Sequence, residues 1–341
     1  MIVEGLIRTI DLPALPGCEP YENRRLMRVG QPMDGSTLID FLQRLHPPTP
    51  TQQWRDWICD GAITADGIAL HANDRVRTGQ RIIHTMPDTV EPKVARRIGI
   101  IHEDASILVV DKPAPMPVHP SGRFNLNTLI RLLEPHYPNE TLRIAHRLDA
   151  NTTGIVLFCR TRRAAGLVQP QFEARKVCKE YFARVHGLVP WDRHDCQFRI
   201  ARASQVGSSG HIQSPDQVNG SEPWIDTRGA RVTDEHGQPA QTRFQVLDRS
   251  GRLSHVRATP ITGRTNQIRV HLWALGHPVV GDPLYLPEQR LGKQQTLAMD
   301  QPPMHLHARS LTVVHPDTGE PITFRCPAVF EPNLPSKTPS S

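Results

Sequence analysis

Residues 145–158 read Ala145-His146-Arg147-Leu148-Asp149-Ala150-Asn151-Thr152-Thr153-Gly154-Ile155-Val156-Leu157-Phe158, a polar turn running straight into an apolar stretch. A run this apolar predicts a strand in a sheet covered on at least one face. The turn sets an arginine and a carboxylate two residues apart at the mouth of that strand, where loops tend to carry function. Taken alone, an Asp-x-x-Thr turn is better explained by Asp149 bonding nearby backbone amides. Two other segments change that balance.

The first is Arg175-Lys176-Val177-Cys178-Lys179-Glu180-Tyr181-Phe182-Ala183-Arg184-Val185. In a strand, Lys179, Tyr181, Ala183 and Val185 share one face. Tyr181 then stands beside a cation and can offer a flat ring to a base. The second is Thr262-Gly263-Arg264-Thr265-Asn266-Gln267-Ile268-Arg269-Val270-His271-Leu272. Ile268, Leu272 and Leu275 mark the buried side of a helix, leaving Arg264 and Arg269 near its start. A buried arginine requires a carboxylate partner, and Asp149 is a candidate.

Further strands are predicted at 98–101, 107–110, 243–247, 254–259, 307–314 and 322–325, and helices at 128–133, 162–168, 171–175 and 266–275. The resulting class is α+β with a mixed sheet. Residues 203–240, rich in Gly, Ser, Asp and Gln, read as a long loop or small insertion. Ahead of this part, Ser36 caps a predicted helix with Leu38, Phe41, Leu42 and Leu45 on one face, and Thr51 caps a second with Trp54, Trp57 and Ile58. A hairpin follows around Asp66-Gly67. The expected organisation is an extension over 1–33, a small α/β domain over 34–90, a linker over 91–97, the large domain over 98–330 and a disordered tail over 331–341.

The 341 residues are 22% charged and 38% hydrophobic, with no long apolar run, which argues against a membrane-spanning chain. Six lysines and 34 arginines carry a net charge of +6. Arginine grips phosphate bidentately and stacks on bases, so the skew leans toward nucleic acid. Residues 1–92 hold 9 basic and 12 acidic side chains, whereas residues 93–341 hold 31 and 22. The whole positive excess therefore sits in the larger part. Six scattered cysteines lack the C-x-x-C spacing of a zinc or redox site and fit a reducing cytoplasm.

Together the segments resemble the RluA-type pseudouridine synthases. AHRLDANTTG (145–154) resembles their HRLDxxTSG signature, KEYFARVHG (179–187) their KxYxAxVxG strand, and TGRTNQIRVHLWALGHPVVGDPLY (262–285) their TGRTHQIRVHLxxxGHPIxGDxLY block. Lesser matches lie at 109–113, 118–121, 306–308 and 317–320. Thr153 stands for the usual Ser and Asn266 for the usual His, which leaves open the bond made at the second position.

The resemblance implies the pseudouridine synthase fold, a largely antiparallel central sheet flanked by helices and loops, and conversion of uridine to pseudouridine without a cofactor or metal. It implies Asp149 as the catalytic carboxylate, acting as nucleophile or base toward the sugar, with Arg269 orienting it. It implies Tyr181 as a catalytic residue packed against the target base and helping to remove its carbon-5 proton, and Arg147 in the gap left by the flipped uridine. Lys179, Arg264 and Gln267 are expected substrate contacts, and the Arg160–Arg163 cluster a further phosphate contact. The expected partner is RNA, ribosomal RNA of the large subunit before transfer RNA, bound by a monomer. Residues 34–90 resemble an alpha-L RNA-binding module, although their 5 basic and 7 acidic side chains make a poor polyanion grip. Removal of residues 1–92 is expected to spare the core.

Three rivals fare worse. A metal site through His305 and His307 lacks completing ligands. Glycoside hydrolysis needs a second carboxylate, and none stands out beside Asp149. A non-catalytic RNA-binding or assembly factor predicts a damaged trio, yet Asp149, Tyr181 and Arg269 are all present.

Overall fold

The computed structural model describes the chain except residues 13, 48, 204–228, 329 and 331–341, so the expected tail lies outside the described residues. The chain divides into two compact units, residues 16–91 and the remainder.

The large unit is α+β and is built on a 12-stranded sheet, mostly antiparallel. Its middle runs, strand beside strand, through Thr242–Ser250, Leu253–Pro260, Cys178–His186, Leu306–Val314, Thr153–Cys159, Ile107–Lys112 and Arg97–Glu103. The strand Thr153–Cys159 is buried almost throughout, as its apolar run requires. Its two faces feed two cores: Val156 and Phe158 pack with Ile98, Leu129 and Leu133, while Ile155 and Leu157 pack with Ala164, Val168 and Phe324.

One lateral row of this sheet positions the site. Gly154 pairs with Ala308, Ala308 with Tyr181, and Tyr181 with Ala258. Small neighbours on both sides leave room for the tyrosine ring. A register shift between Glu180 and Tyr181 sits at the same place. The parallel junction at Gly154 is unusually close. Its φ is +105°, and a Cβ there would lie 2.4 Å from the carbonyl oxygen of Ala308, so only glycine fits.

The expected extension over 1–33 is instead divided. Ile2–Glu4 pairs in parallel with Pro321–Arg325, and Arg8–Asp11 pairs with Arg97–Glu103, so the first residues are strands of the catalytic sheet. Tyr21–Arg28 pairs with Arg81–Thr89 in the small unit. Deleting 1–92 would strip two strands from the large sheet. The expected linker is likewise absorbed, with Val94 in the main core. At three and four residues, Ile2–Glu4 and Arg8–Asp11 are too short to show a strand period.

Local corrections are smaller. The two helices expected around Pro170 are one, Arg162–Glu173, because a proline near the last turns removes a single helical hydrogen bond. Within 203–240, Arg231–Thr233 forms a strand paired with Ile200–Arg202.

The small unit is a four-stranded sheet under two helices, Leu38–Leu45 and Thr51–Cys59, whose Leu38, Phe41, Leu42, Trp54 and Ile58 make its core with Ile63 and Ile82. The cap of the first helix is Thr37, not Ser36: its hydroxyl accepts from the Asp40 amide at 3.2 Å. Ser36 donates to the Met33 carbonyl instead.

Candidate active site

Asp149, Tyr181 and Arg269 converge. Asp149 sits in the turn leading to Thr153–Cys159, where the Thr152 amide donates to its own carbonyl. Asn151 pins that turn, donating to the Gln295 carbonyl at 2.8 Å and accepting from the Leu297 amide at 3.0 Å. Arg269 projects from the helix Gln267–Ala274. That helix is buried on nearly every side: Ile268 and Leu272 pack toward Tyr181 and Ala308, and Val270 and Trp273 pack toward Leu284, Tyr285 and Val232.

Arg269 is buried and reaches Asp149 with Nη1 at 3.2 Å from Oδ2. Its main anchor is another carboxylate. Asp282, fully buried, accepts from Nε at 2.7 Å and Nη2 at 2.8 Å. Asp282 also accepts from the amides of Leu284 and Tyr285, so its Oδ1 holds the turn as well as the arginine. The Tyr285 ring lies under the guanidinium, 5.0 Å away. Burial works against the Arg269 charge, but Asp282, and after it Asp149, more than offset this and raise its pKa above the ordinary arginine value.

Asp282 and Tyr285 were missed as site residues. Both stood in the segment GHPVVGDPLY, and the requirement that a buried arginine find a charge partner was the available signal. Asp282 is a second carboxylate near Asp149, but with both oxygens bonded and no exposure it cannot serve as the opposed acid of a glycosidase.

Asn266 resolves the position left open. Its φ of +57° is left-handed, which asparagine tolerates. Its amide oxygen accepts from Arg269 Nη1 at 3.1 Å and its nitrogen donates to the Tyr285 hydroxyl at 3.0 Å. Thr153, in place of the usual Ser, keeps a hydroxyl 2.8 Å from His307 Nδ1. His307 donates from Nε2 to the Cys326 carbonyl at 3.1 Å, so it accepts from the threonine.

Tyr181 is buried, and burial together with the Asp149 charge raises its pKa above the ordinary tyrosine value. It is therefore a neutral phenol, suited to packing or hydrogen bonding and poorly suited to act as a base. Lys179 is partly buried, with its pKa lowered by burial. Its charge, after burial, depresses His146 to about 3. Its Nζ is 3.7 Å from the position a Cβ on Gly263 would take, so it stands beside the turn that opens the segment 262–272.

Lys112, within the lesser match at 109–113, is fully buried beneath the Asp149 turn. Its ammonium donates to the carbonyls of Pro113, Met116 and Ala150 at 2.9, 2.9 and 3.2 Å. Burial lowers its pKa to about 7, against the opposing pull of Asp149 and Asp111.

The remaining expected contacts separate. Arg147 is exposed, with Nη1 donating to His119 Nε2 at 2.8 Å. Arg264 donates from Nε to the Pro239 carbonyl at 3.1 Å. Gln267 is buried and saturated by protein: its nitrogen donates to Gln241 and Thr242, and its oxygen accepts from Thr262 and the Arg264 amide. It is held inside the protein and positions the Arg264 turn. Within the Arg160–Arg163 cluster, Arg160 is committed to Glu140 and Glu103, while Arg163, largely exposed, pairs with Asp317 at 2.6 Å.

Among the described residues, His102, Asp104 and His315 form one group with metal-ligand proximity. Nδ1 of His315 accepts from the Asp317 and Thr318 amides, so its Nε2 carries the proton and donates to Asp104 at 2.9 Å. That tautomer opposes ligation. The group is not among the residues around Asp149.

Comparison with known proteins bears on the family of the chain. Residues 106–274 match the family described as RNA pseudouridylate synthase. A "Ribosomal large subunit pseudouridine synthase D" from Pseudomonas aeruginosa is 31% identical over 89% of this chain and 92% of its own length. An "RNA pseudouridine synthase 7" from Arabidopsis thaliana is 32% identical over 78% of this chain, which spans only 65% of that relative. The solved structure "Human RNA Pseudouridylate Synthase Domain Containing 1" shares 27% identity with a TM-score of 0.51, covering 73% of this chain and 89% of the human one. The fold and site define an RNA-modifying isomerase class. The chain belongs to the RNA pseudouridine synthase family, of the RluA type.

Proposed function

We propose that the protein isomerises specific uridines to pseudouridine in large-subunit ribosomal RNA, with Asp149 as the catalytic carboxylate. The observation that carries this reading is the Asp149–Arg269 ion pair, one partner buried and the other with 30% of its side chain exposed, with the Asp149 charge close enough to Tyr181 to act on its hydroxyl. Arg269 engages only Oδ2 of Asp149 in that pair, and the exposed carboxylate can meet a flipped nucleotide. Asp149 acts on the sugar as nucleophile or base, the bond from the sugar to the base nitrogen breaks, and the sugar rejoins at carbon 5; the carbon-5 proton leaves and the freed ring nitrogen takes up a proton. No atom is gained or lost. Tyr181 packs on the base as a neutral phenol, and Arg147, braced by His119, fills the space the uridine leaves. Lys179 and Arg264 contact phosphate, while Gln267 positions Arg264.

The ribosomal target is supported by the near full-length similarity to the Pseudomonas protein. A monomeric, cytoplasmic enzyme without cofactor is the simplest form of this reading, and six cysteines present as thiols are consistent with a reducing compartment. The small unit is read as an RNA-binding module of the alpha-L type.

The test is to map pseudouridines in total RNA from cells with and without this gene, then complement with wild type and Asp149→Asn. One or more large-subunit ribosomal sites should vanish and return only with wild type. Loss confined to transfer RNA moves the target, and restoration by Asp149→Asn removes the catalytic assignment.

A further inference from the structure

We propose that the small unit holds structured RNA by its phosphates through the open face of the ribbon Tyr21–Arg28 and Arg81–Thr89, with Arg24, Arg28 and Arg81 as the gripping side chains. This rests on the reading of the chain as an enzyme of RNA and names a surface that net charge conceals.

Side chains alternate across the two strands. Asn23, Ile82 and His84 are buried and Met27 packs on the core, so Arg24, Leu26, Arg28, Arg81, Ile83 and Thr85 face outward. Arg28 lies directly opposite Arg81. Like charges opposed across a strand pair destabilise the sheet. Neither is joined by an ion pair or side-chain hydrogen bond to another described residue. Arg24, four residues from Arg28 and so about 13 Å along the strand, has Glu22 as its one ion-pair partner among the described residues, at 3.9 Å, and both are largely exposed.

The Tyr21–Arg28 strand is an edge of its sheet. A polyanion laid along it would neutralise the opposed pair and bind bidentately to each guanidinium. The helices offer less, since Arg44 and Arg55 are interspersed with Asp40, Asp56 and Asp60. Three of the unit's arginines, Arg24, Arg25 and Arg28, fall in the segment that sequence reading assigned to an extension, which is why residues 34–90 alone looked unsuited to RNA.

The test uses the full chain, large-subunit ribosomal RNA transcribed in vitro, and the salt dependence of binding. R24Q/R28Q/R81Q should lower the slope of log K against log salt by about 2–3 and weaken binding at 0.1 M salt at least tenfold. It should raise KM with kcat unchanged and leave the melting temperature no lower, because a repulsive pair has been removed. R24K/R28K/R81K should keep most of the slope, and R44Q/R55Q all of it. A wild-type slope in the glutamine triple, equal losses in R44Q/R55Q, or salt-insensitive binding by the wild type overturns the proposal. If the wild type shows the ribbon-dependent slope yet forms no pseudouridine in that transcript, the ribbon stands and the ribosomal target falls.

Discussion

Arg269 is anchored by Asp282, not by Asp149. Two bonds of 2.7 and 2.8 Å run to the buried Asp282, against one of 3.2 Å to the half-buried Asp149. The arginine is thus fixed from behind and presents a residual donor to Asp149, the carboxylate proposed to do the chemistry.

The two aspartates therefore separate stability from catalysis. Asp282→Asn leaves a buried guanidinium short of its counter-charge and should cost about 3–5 kcal/mol. Asp149→Asn should cost less, about 1–2 kcal/mol for one charge-assisted bond, since Asp282 still neutralises the buried guanidinium, while abolishing pseudouridine formation. Urea titration and a tritium-release assay on 5-tritiated RNA read both quantities. A destabilised Asp149→Asn with a stable Asp282→Asn would reverse the assignment.

Lys112 should make stability depend on pH. Its folded pKa of about 7 lies below the ordinary 10.5, so between these values the unfolded chain binds a proton that the folded chain does not. Stability should rise with pH across that window, by on the order of 1–3 kcal/mol relative to Lys112→Met. A wild-type advantage that shrinks from pH 7 to 10 would mean that the three carbonyls, not burial, control the lysine. Because Ala150 is one of its acceptors, Lys112→Met should also lower kcat about 10- to 100-fold.

Asn266 does two jobs that substitution can divide. Asn266→Ala loses the bonds to Arg269 and Tyr285 and adds left-handed strain of about 1–2 kcal/mol. Asn266→Gly loses the same bonds without the strain. The glycine variant should be the more stable by roughly that amount, with both equally slow. Equal stability would show that the backbone relaxes at this cap.

Gly154→Ala places a methyl 2.4 Å from the Ala308 carbonyl oxygen and 2.8 Å from its amide nitrogen. The two parallel strands must part beside the site, at a cost of about 3 kcal/mol or more. Thermal melting and turnover should fall together. A variant that melts normally would mean the junction is looser than its geometry.

Much of the catalytic half was legible. The strand expected to carry Lys179, Tyr181, Ala183 and Val185 on one face is present as Cys178–His186, and Asp149, Tyr181 and Arg269 are adjacent as the three segments required. Long apolar runs and local turn chemistry carry such information in neighbouring residues, where periodicity can be read. The residues missed were Asp282, Tyr285 and Lys112, whose partners lie up to 38 positions away for Lys112 and 54 for Tyr285. Gln267 was misplaced for the same reason: a polar side chain reads as available until its partners are known.

The sequence by itself determined the class of sheet, the three chemistry-bearing segments and the basic excess of the larger part, because these depend on residue type and short-range order. Only the tertiary structure decided that the first strands belong to the catalytic sheet, that Asp282 rather than Asp149 anchors Arg269, and that three arginines line one open ribbon. Strand pairing, burial and charge neutralisation are settled between residues distant in the chain. Composition counts such charges, but it cannot say which of them face one another.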